Sequence, residues 1–195
     1  TFMEQVLQRQ GDTHFDFLAL SAAETDPDTR AGLLQSFNRL QAKYPDNSQL
    51  QFGKALLLQQ NGQPQEALEL LEQQPSKDRP IASILLHARL LQSLERNDEA
   101  LPLLEKGIEQ YPDDKRLRLT YARLLVAEDR LDEAKGEFAS LLQQNPDDDD
   151  LRFSLALVCL EAKAWKEAIV YLEELVERGS HSDLVAQGGS NAIVA

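Results

Sequence analysis

The pair Glu-Ala occurs at Glu66-Ala67, Glu99-Ala100, Glu133-Ala134 and Glu167-Ala168, so that its alanines are spaced by 33, 34 and 34 residues. A second set, Ala55, Ala88, Ala122 and Ala156, keeps the same intervals. Pro45, Pro112 and Pro146, each followed by Asp, mark unit ends. A period of this length restricts the chain to a repeat architecture. Each unit is then one supersecondary element that buries its apolar face only by stacking on its neighbours.

The content of each unit points to two helices. Apolar residues recur at helical spacing over 88–94 and 122–126. Polar breaks follow the first helices at Asn61-Gly62, Arg96-Asn97-Asp98 and Glu128-Asp129-Arg130. A second amphipathic helix begins near each Glu-Ala pair and ends before Pro, which lacks the N–H and disfavours helix at the preceding residue. The acidic residues after Pro open the next helix, where they cap free N–H groups and suit the helix dipole. The alanines belong where two antiparallel helices cross closely, since a larger side chain there would overpack the contact. Val and Ile are sparse beside Leu, Ala, Gln and Glu, which favours helix over strand. The expected fold class is all-α.

These residues resemble the tetratricopeptide repeat (TPR) family, whose period is about 34 residues. The resemblance implies a right-handed α-solenoid of antiparallel helix pairs, one TPR array over 1–195. Units fall at 14–47, 48–80, 81–114, 115–148 and 149–182. Residues 1–13 close a preceding repeat, and 183–195 are a truncated next repeat or a tail. The large apolar residue four after the second alanine is Leu71, Leu104, Phe138 or Leu172. Unit 14–47 is degenerate, with Ser21 and Leu33 at the alanine positions. The third small position of the family holds Gln74, Gly107, Leu141 and Leu175, which implies rearranged packing onto the next unit. Unit 48–80 is one residue short, and Pro75-Ser76-Lys77-Asp78-Arg79-Pro80 replaces its last turn; a local change of superhelical angle is predicted there. The chain starts at Thr1 in what reads as helix, so an excised fragment is expected, and its two ends would expose apolar stacking surface that drives self-association.

By the same resemblance, the first helices line a concave face that takes a partner peptide or protein. The implied binding residues are Phe52, Leu56 and Gln59; Leu85, Arg89 and Gln92; Arg116, Leu119 and Arg123; and Phe153 and Leu157. They form an apolar floor with arginines at its centre. Aliphatic or aromatic side chains would fill the floor, and arginine would pair with a carboxylate or with carbonyls in fork geometry. The alternative is that Arg89 and Arg123 pair with Glu or Asp of a neighbouring helix, and that Phe52 and Phe153 are inter-repeat core. The Lys/Asn clamp with which some TPR domains hold chaperone C-termini is missing: its positions carry Phe52, Gly53 and Leu56, then Leu85, Leu86 and Arg89, then Leu119, Thr120 and Arg123.

Other chemistry finds little support. A net charge of -13, from 20 basic and 33 acidic residues, opposes general affinity for nucleic acid or anionic membrane. No segment approaches the roughly 20 apolar residues of a membrane span. Cys159 is the single cysteine, so no intrachain disulfide or CxxC motif exists; it reads as a small buried hydrophobe. Asp147 to Asp150 lack the spacing of a calcium loop and read as a solvated helix start. His14, His87 and His181 have no metal-ligand spacing, and His87 reads as a core or rim histidine. Ser180-His181-Ser182 has no positioned acid for nucleophilic catalysis. Trp165 sits at an inter-helix turn and reads as packing. No phosphate loop or cofactor motif is present, so no cofactor is expected.

The leading expectation is a non-catalytic interaction scaffold; the second is a regulatory or substrate-docking TPR region of a larger enzyme. The stretch FDFLALSAAETDPDTRAGLLQSFNRLQAKYPDN and the units after it also resemble the large TPR lipoproteins of Gram-negative bacteria. That resemblance implies a periplasmic address at the outer membrane, through an N-terminal anchor outside this chain, with cytoplasm as the alternative. It also implies recruitment of a carboxy-terminal processing protease, its substrate, or a cell-wall enzyme.

Overall fold

The computed structural model describes residues 27–74 and 79–179. Among them are nine α-helices and no strand: α1 Pro27–Lys43, α2 Ser48–Gln60, α3 Pro64–Glu72, α4 Ile81–Ser93, α5 Asn97–Gln110, α6 Lys115–Ala127, α7 Leu131–Gln144, α8 Asp149–Glu161 and α9 Trp165–Glu177. The chain divides within α5 into two compact units, Thr1–Ala100 and Leu101–Ala195. In the first, α1 packs on α2, α2 on α3 and α3 on α4, and α2 also touches α4. In the second, α6 packs on α7, α7 on α8 and α8 on α9. The expectations for 1–13, Ser21, His14, 183–195, the Ser180-His181-Ser182 run and the Pro75–Asp78 segment lie outside the described residues.

The periodic alanines occupy the closest helix contacts. All eight, Ala55, Ala67, Ala88, Ala100, Ala122, Ala134, Ala156 and Ala168, are 0% exposed. Leu71, Leu104, Phe138 and Leu172 are buried beside the second set. Phe37, Leu40, Leu50 and Leu57 form a core in the first unit, with Leu33 and Leu34 packed against it. In the second unit Ala156, Leu172 and Leu175 form another, flanked by Phe153, Leu160 and Tyr171.

Each first helix ends in the same Schellman turn. The N–H of Gln63, Arg96, Arg130 and Ala164 donates to the carbonyl five residues earlier: Leu58, Leu91, Leu125 and Cys159. That closure puts the residue before it in the left-handed region, at Gly62 (φ 74°), Glu95 (58°), Asp129 (57°) and Lys163 (58°). Glycine suits that conformation, and three of the four turns hold it with side chains that disfavour it.

The Pro-Asp turns cap the next helices through the residue after Asp. Asp114 accepts from the N–H groups of Arg116 and Leu117, and Asp148 from that of Leu151. Asn47 accepts from Leu50 in the same way, so at this turn the cap is an amide rather than an acid. A second bond locks each turn. Gln51 Nε2, Arg118 Nε and Arg152 Nη2 donate to the carbonyls of Pro45, Pro112 and Pro146, at 2.9, 3.0 and 2.6 Å. These donors stand at the fourth position of their units.

The joint before α4 is built differently. Its cap is Pro80, which offers no side-chain acceptor, and the fourth position is the apolar Ile84. A buried polar cluster replaces both devices. Gln74 Nε2 donates to the Ser48 carbonyl, Ser83 Oγ donates to Gln74 Oε1 at 2.6 Å, and Arg79 Nη2 donates to the Gln74 carbonyl at 2.7 Å. Arg79 Nη1 lies 3.0 Å from His87 Nδ1. Guanidinium only donates, so Nδ1 accepts and His87 is neutral with its proton on Nε2. Burial, then the charges of Arg79 and Arg96, hold the His87 pKa down at about 4, against a weaker upward pull from Glu99. Gln74 thus fills a small-residue position of the pattern by becoming the hub of this cluster.

Candidate functional site

The residues predicted to bind a partner fall on one stripe of each first helix. On α2 they are Phe52, Leu56 and Gln59, and on α4 Leu85, Arg89 and Gln92; both sets run at i, i+4, i+7. On α6 the stripe carries Arg116, Leu119 and Arg123, followed by Val126, and on α8 Phe153 and Leu157, followed by Leu160. The apolar members are half-buried except Leu157, which is 45% exposed. Arg89, Arg116 and Arg123 are exposed. The buried side of these helices is a different set: Ala55 and Leu58, Ala88 and Leu91, Ala122 and Leu125, Ala156 and Cys159. The stripe is therefore the less buried side of each first helix.

Within the first unit, α2 and α4 touch directly. Within the second, α6 and α8 both lie against α7. Phe153 belongs partly to packing, since it rests against the Ala156, Leu172 and Leu175 core.

The three arginines differ in their partners. Arg116 folds back onto the acid that caps its own helix, with Nη2 2.8 Å from Asp114 Oδ2. That hydrogen bond holds the Asp114 carboxyl below its usual range and pushes the Arg116 guanidinium up. Arg89 and Arg123 form no ion pair with any other described residue. The four other arginines of the second unit are all paired. Arg118 meets Glu137 at 3.3 Å, Arg130 meets Glu133 at 2.7 Å, Arg152 meets Asp149 and Glu174, and Arg178 meets Asp147 and Asp149. The alternative in which Arg89 and Arg123 brace a neighbouring helix is not what the described residues show.

The other candidates are occupied with structure. The Asp147–Asp150 run lines an open depression of about 590 Å³ with Asn145 and Pro146. Asp148 caps α8 and pairs with Lys115, which lowers its carboxyl pKa. Asp147 and Asp149 are held by Arg178 and Arg152. Among the described residues, no group of three His, Cys, Asp or Glu side chains is placed to hold a metal ion. Cys159 is free and buried, and burial pushes its thiol pKa up, away from nucleophilic thiolate. Trp165 opens α9 half-buried. No described helix is long and apolar enough to cross a membrane.

Sequence reasoning overlooked the fourth-position donors. Their signal was legible, as Gln51, Arg118 and Arg152 each stand six residues after a unit-ending proline.

Comparison with known proteins agrees with the helical-repeat fold. A family model described as tetratricopeptide repeat matches residues 91–148 and 127–187. A model described as anaphase-promoting complex, cyclosome, subunit 3 matches residues 34–107. The TPR repeat-containing protein PA4667 of Pseudomonas aeruginosa is 71% identical over 120 residues. That match takes in 62% of this chain and 20% of the relative, so the chain spans about a fifth of that protein's length. Among solved structures, YrrB, described as a TPR protein with an unusual peptide-binding site, aligns with a TM-score of 0.64 at 16% identity, over 99% of this chain and 96% of its own. MamA aligns with a TM-score of 0.69 at 13% identity, over 84% and 90%. TTC0263 of Thermus thermophilus aligns with a TM-score of 0.59 at 18% identity, over 93% and 99%. At such identities the structural likeness speaks for the fold alone.

Proposed function

The chain belongs to the tetratricopeptide repeat family, and we propose that it is a non-catalytic interaction scaffold that holds a peptide or protein partner on the stripes of its first helices. The observation that carries this reading is the division of each first helix into two faces. The alanine side is sealed in packing, and the other side leaves Leu119 half-buried and Arg123 and Leu157 exposed. A half-buried apolar side chain is already ordered, so a ligand that covers it gains hydrophobic contact at little further entropic cost. The peptide-binding site named for YrrB supports the same use of this fold.

The finer reading is recruitment of a carboxy-terminal processing protease, its substrate or a cell-wall enzyme at the outer membrane of a Gram-negative bacterium. It is supported by the resemblance of residues 15–47 and the units after them to lipoproteins of that kind, and by the 71% identity to a Pseudomonas protein. The second reading, a docking region of a larger enzyme, draws on the relative's extra length, since this chain matches only 20% of it. A catalytic motif elsewhere in the full gene product would favour the second reading.

The test is capture from native extract by the wild-type protein, by a Leu119→Asp, Leu157→Asp variant, and by Lys106→Glu on the exposed side of α5 as control. Circular dichroism and thermal melts establish that all three fold. A protein held by the wild type and the control but lost by the double variant supports the stripe. Equal capture by all three refutes it.

A further inference from the structure

We infer that Asn61 is a site of spontaneous deamidation through the Gly62 backbone nitrogen, and that the turn closing α2 holds the reaction shut until that turn opens. The inference is independent of the scaffold reading, since it concerns the chemistry of a joint rather than a partner.

The sequence singles the site out. Gly62 follows Asn61, and glycine has no Cβ to screen its backbone nitrogen. A Cβ at Gly62 would meet nothing within 4 Å, and Gly62 is exposed, so the approach to that nitrogen is open. The other described asparagines are followed by Arg39, Ser48, Asp98 and Pro146. Three of these carry side chains that crowd the nucleophile, and proline has no N–H to give up. The other three left-handed turns place Leu94, Glu128 and Ala162 before the turn residue, so none of them has an amide to lose.

The reaction needs no partner but water. The Gly62 nitrogen bonds to Asn61 Cγ, the Cγ–Nδ2 bond breaks, and ammonia leaves with the proton of the Gly62 N–H. The product is a five-membered succinimide. Water then opens that ring at either carbonyl. One opening gives aspartate. The other gives isoaspartate, whose main chain runs through Cβ and Cγ and is one methylene longer.

The folded geometry opposes the first step. Asn61 caps α2 with φ -81° and ψ 3°. At that ψ the Asn61 and Gly62 nitrogens eclipse one another across the Cα–C bond, and Cβ stands about 120° away by tetrahedral geometry. Ring closure needs Cβ to eclipse the Gly62 nitrogen, so the bond must turn by that amount. Gly62 N–H donates to the Gln59 carbonyl at 3.1 Å, and Gln63 N–H donates to the Leu58 carbonyl at 3.0 Å. Both bonds break when the Asn61 ψ rotates. The first also holds on the nitrogen the proton that attack must remove. Reaction therefore proceeds from the opened turn, and its rate follows the population of that state.

Either product disfavours reclosure. Aspartate puts a carboxylate at the negative end of the α2 dipole, and isoaspartate lengthens the chain just before Gly62. α3 starts at Pro64 and packs on α2, so the modification records past opening of this joint and loosens it further.

The experiment follows conversion at pH 8 in the full chain, in the same chain in urea below and above its unfolding midpoint, and in a peptide spanning residues 57–66. Peptide mapping locates the mass gain of amide-to-acid conversion, and isoaspartyl methyltransferase labelling counts the isomer. An Asn61→Ser chain identifies signal from other asparagines. The expected result is that the peptide and the unfolded chain convert alike, chiefly to isoaspartate, and the folded chain at least about tenfold more slowly, the scale of the hydrogen bonds that must break. Urea short of the midpoint raises the folded rate. Folded and unfolded chains that convert equally fast overturn the inference, because the turn then gates nothing. A slow folded rate that ignores urea overturns it too, since the reaction would run from the closed turn. Conversion in neither state, or labelling undiminished in Asn61→Ser, rules out Asn61 as the site.

Discussion

Replacing Glu95, Asp129 or Lys163 by glycine should stabilise the protein, although each change deletes a side chain. All three hold φ near 57–58° at the residue that closes a Schellman turn. The left-handed region costs an ordinary L-residue about 1–2 kcal/mol, and glycine gives back about 0.5–1 kcal/mol through the freedom it gains when unfolded. The net is a gain of about 0.5–1 kcal/mol per site for Glu95→Gly and Lys163→Gly. Asp129→Gly should gain least, because Asp tolerates this region better than Glu or Lys. No contact confuses the reading, since all three side chains are exposed and make no hydrogen bond or ion pair with a described residue. The converse change completes the series. Gly62 has φ 74° and nothing within 4 Å of where a Cβ would stand, so Gly62→Ala meets no clash and its cost is that of the backbone alone, about 1 kcal/mol. Urea unfolding at pH 7, followed by circular dichroism, measures the midpoint and slope for each variant. Midpoints that rise for Glu95→Gly and Lys163→Gly and fall for Gly62→Ala, with unchanged slopes, support the account. If Glu95→Gly and Lys163→Gly both lower the midpoint, the turns are not limited by backbone conformation and the reasoning fails.

Stability of the first unit should fall on acidification below neutrality. His87 has a folded pKa of about 4 against 6.5 for the free side chain. The unfolded chain therefore binds more protons in this window, so the contribution is full above about pH 6.5 and is lost as pH falls through 4. It amounts to about 3 kcal/mol before solvent screening and about 2 after it. An NMR titration that places the His87 ring near pH 6.5 would contradict the Arg79 contact. Arg152→Met should cost the second unit about 2–3 kcal/mol in urea unfolding, because it strips the Pro146 carbonyl, Asp149 and Glu174 of one shared donor; a loss below about 0.5 kcal/mol would mean that the turn holds itself. Ala134→Leu should cost about 1–3 kcal/mol by overpacking a 0% exposed position, read as a lowered melting temperature.

The helices were legible because their spacing is redundant. Eight alanines in phase, three polar breaks and three Pro-Asp turns each point to the same boundaries, and every one of those alanines proved buried. Local chemistry also carried the capping of α6 and α8, where an acid two residues past proline meets free N–H groups. What escaped was non-local. Nothing in Gln74 alone says that it will reach both the Ser48 carbonyl, 26 residues back, and Ser83, nine residues on. Nor does the run Arg79-Pro80 disclose that its arginine turns inward onto His87. Such a cluster depends on two chain segments meeting, and the hydrophobic period is blind to it. Its site is nonetheless marked, because it falls where the repeat loses a residue and the fourth-position donor becomes Ile84.

The candidate site was legible to a different depth. Spacing decides which residues share the unsealed face of a first helix, and that part needs only a 3.6-residue turn. The partners of the arginines on that face could not be read the same way. Arg116 and Arg123 lie seven residues apart on one stripe and look equivalent in sequence. Arg116 stands two residues from Asp114, and its guanidinium is drawn back to its own cap at 2.8 Å. Arg123 sits mid-helix, where its i−4 and i+3 neighbours are Leu119 and Val126. No acid lies one turn away on that side, so helical ion pairing, which needs i, i+3 or i, i+4 placement, cannot occupy it. The same holds for Arg89, flanked at those offsets by Leu85 and Gln92. An arginine at the ninth position, bracketed by uncharged residues one turn away on the stripe, is thus kept available by local geometry. Introducing Glu at position 119 should close it off: Leu119→Glu, which can pair with Arg123 at i, i+4, is expected to reduce binding of acidic peptides by several-fold while leaving the melting temperature within a few degrees. If acidic peptides bind Leu119→Glu as tightly as wild type, the availability of Arg123 is irrelevant to recognition.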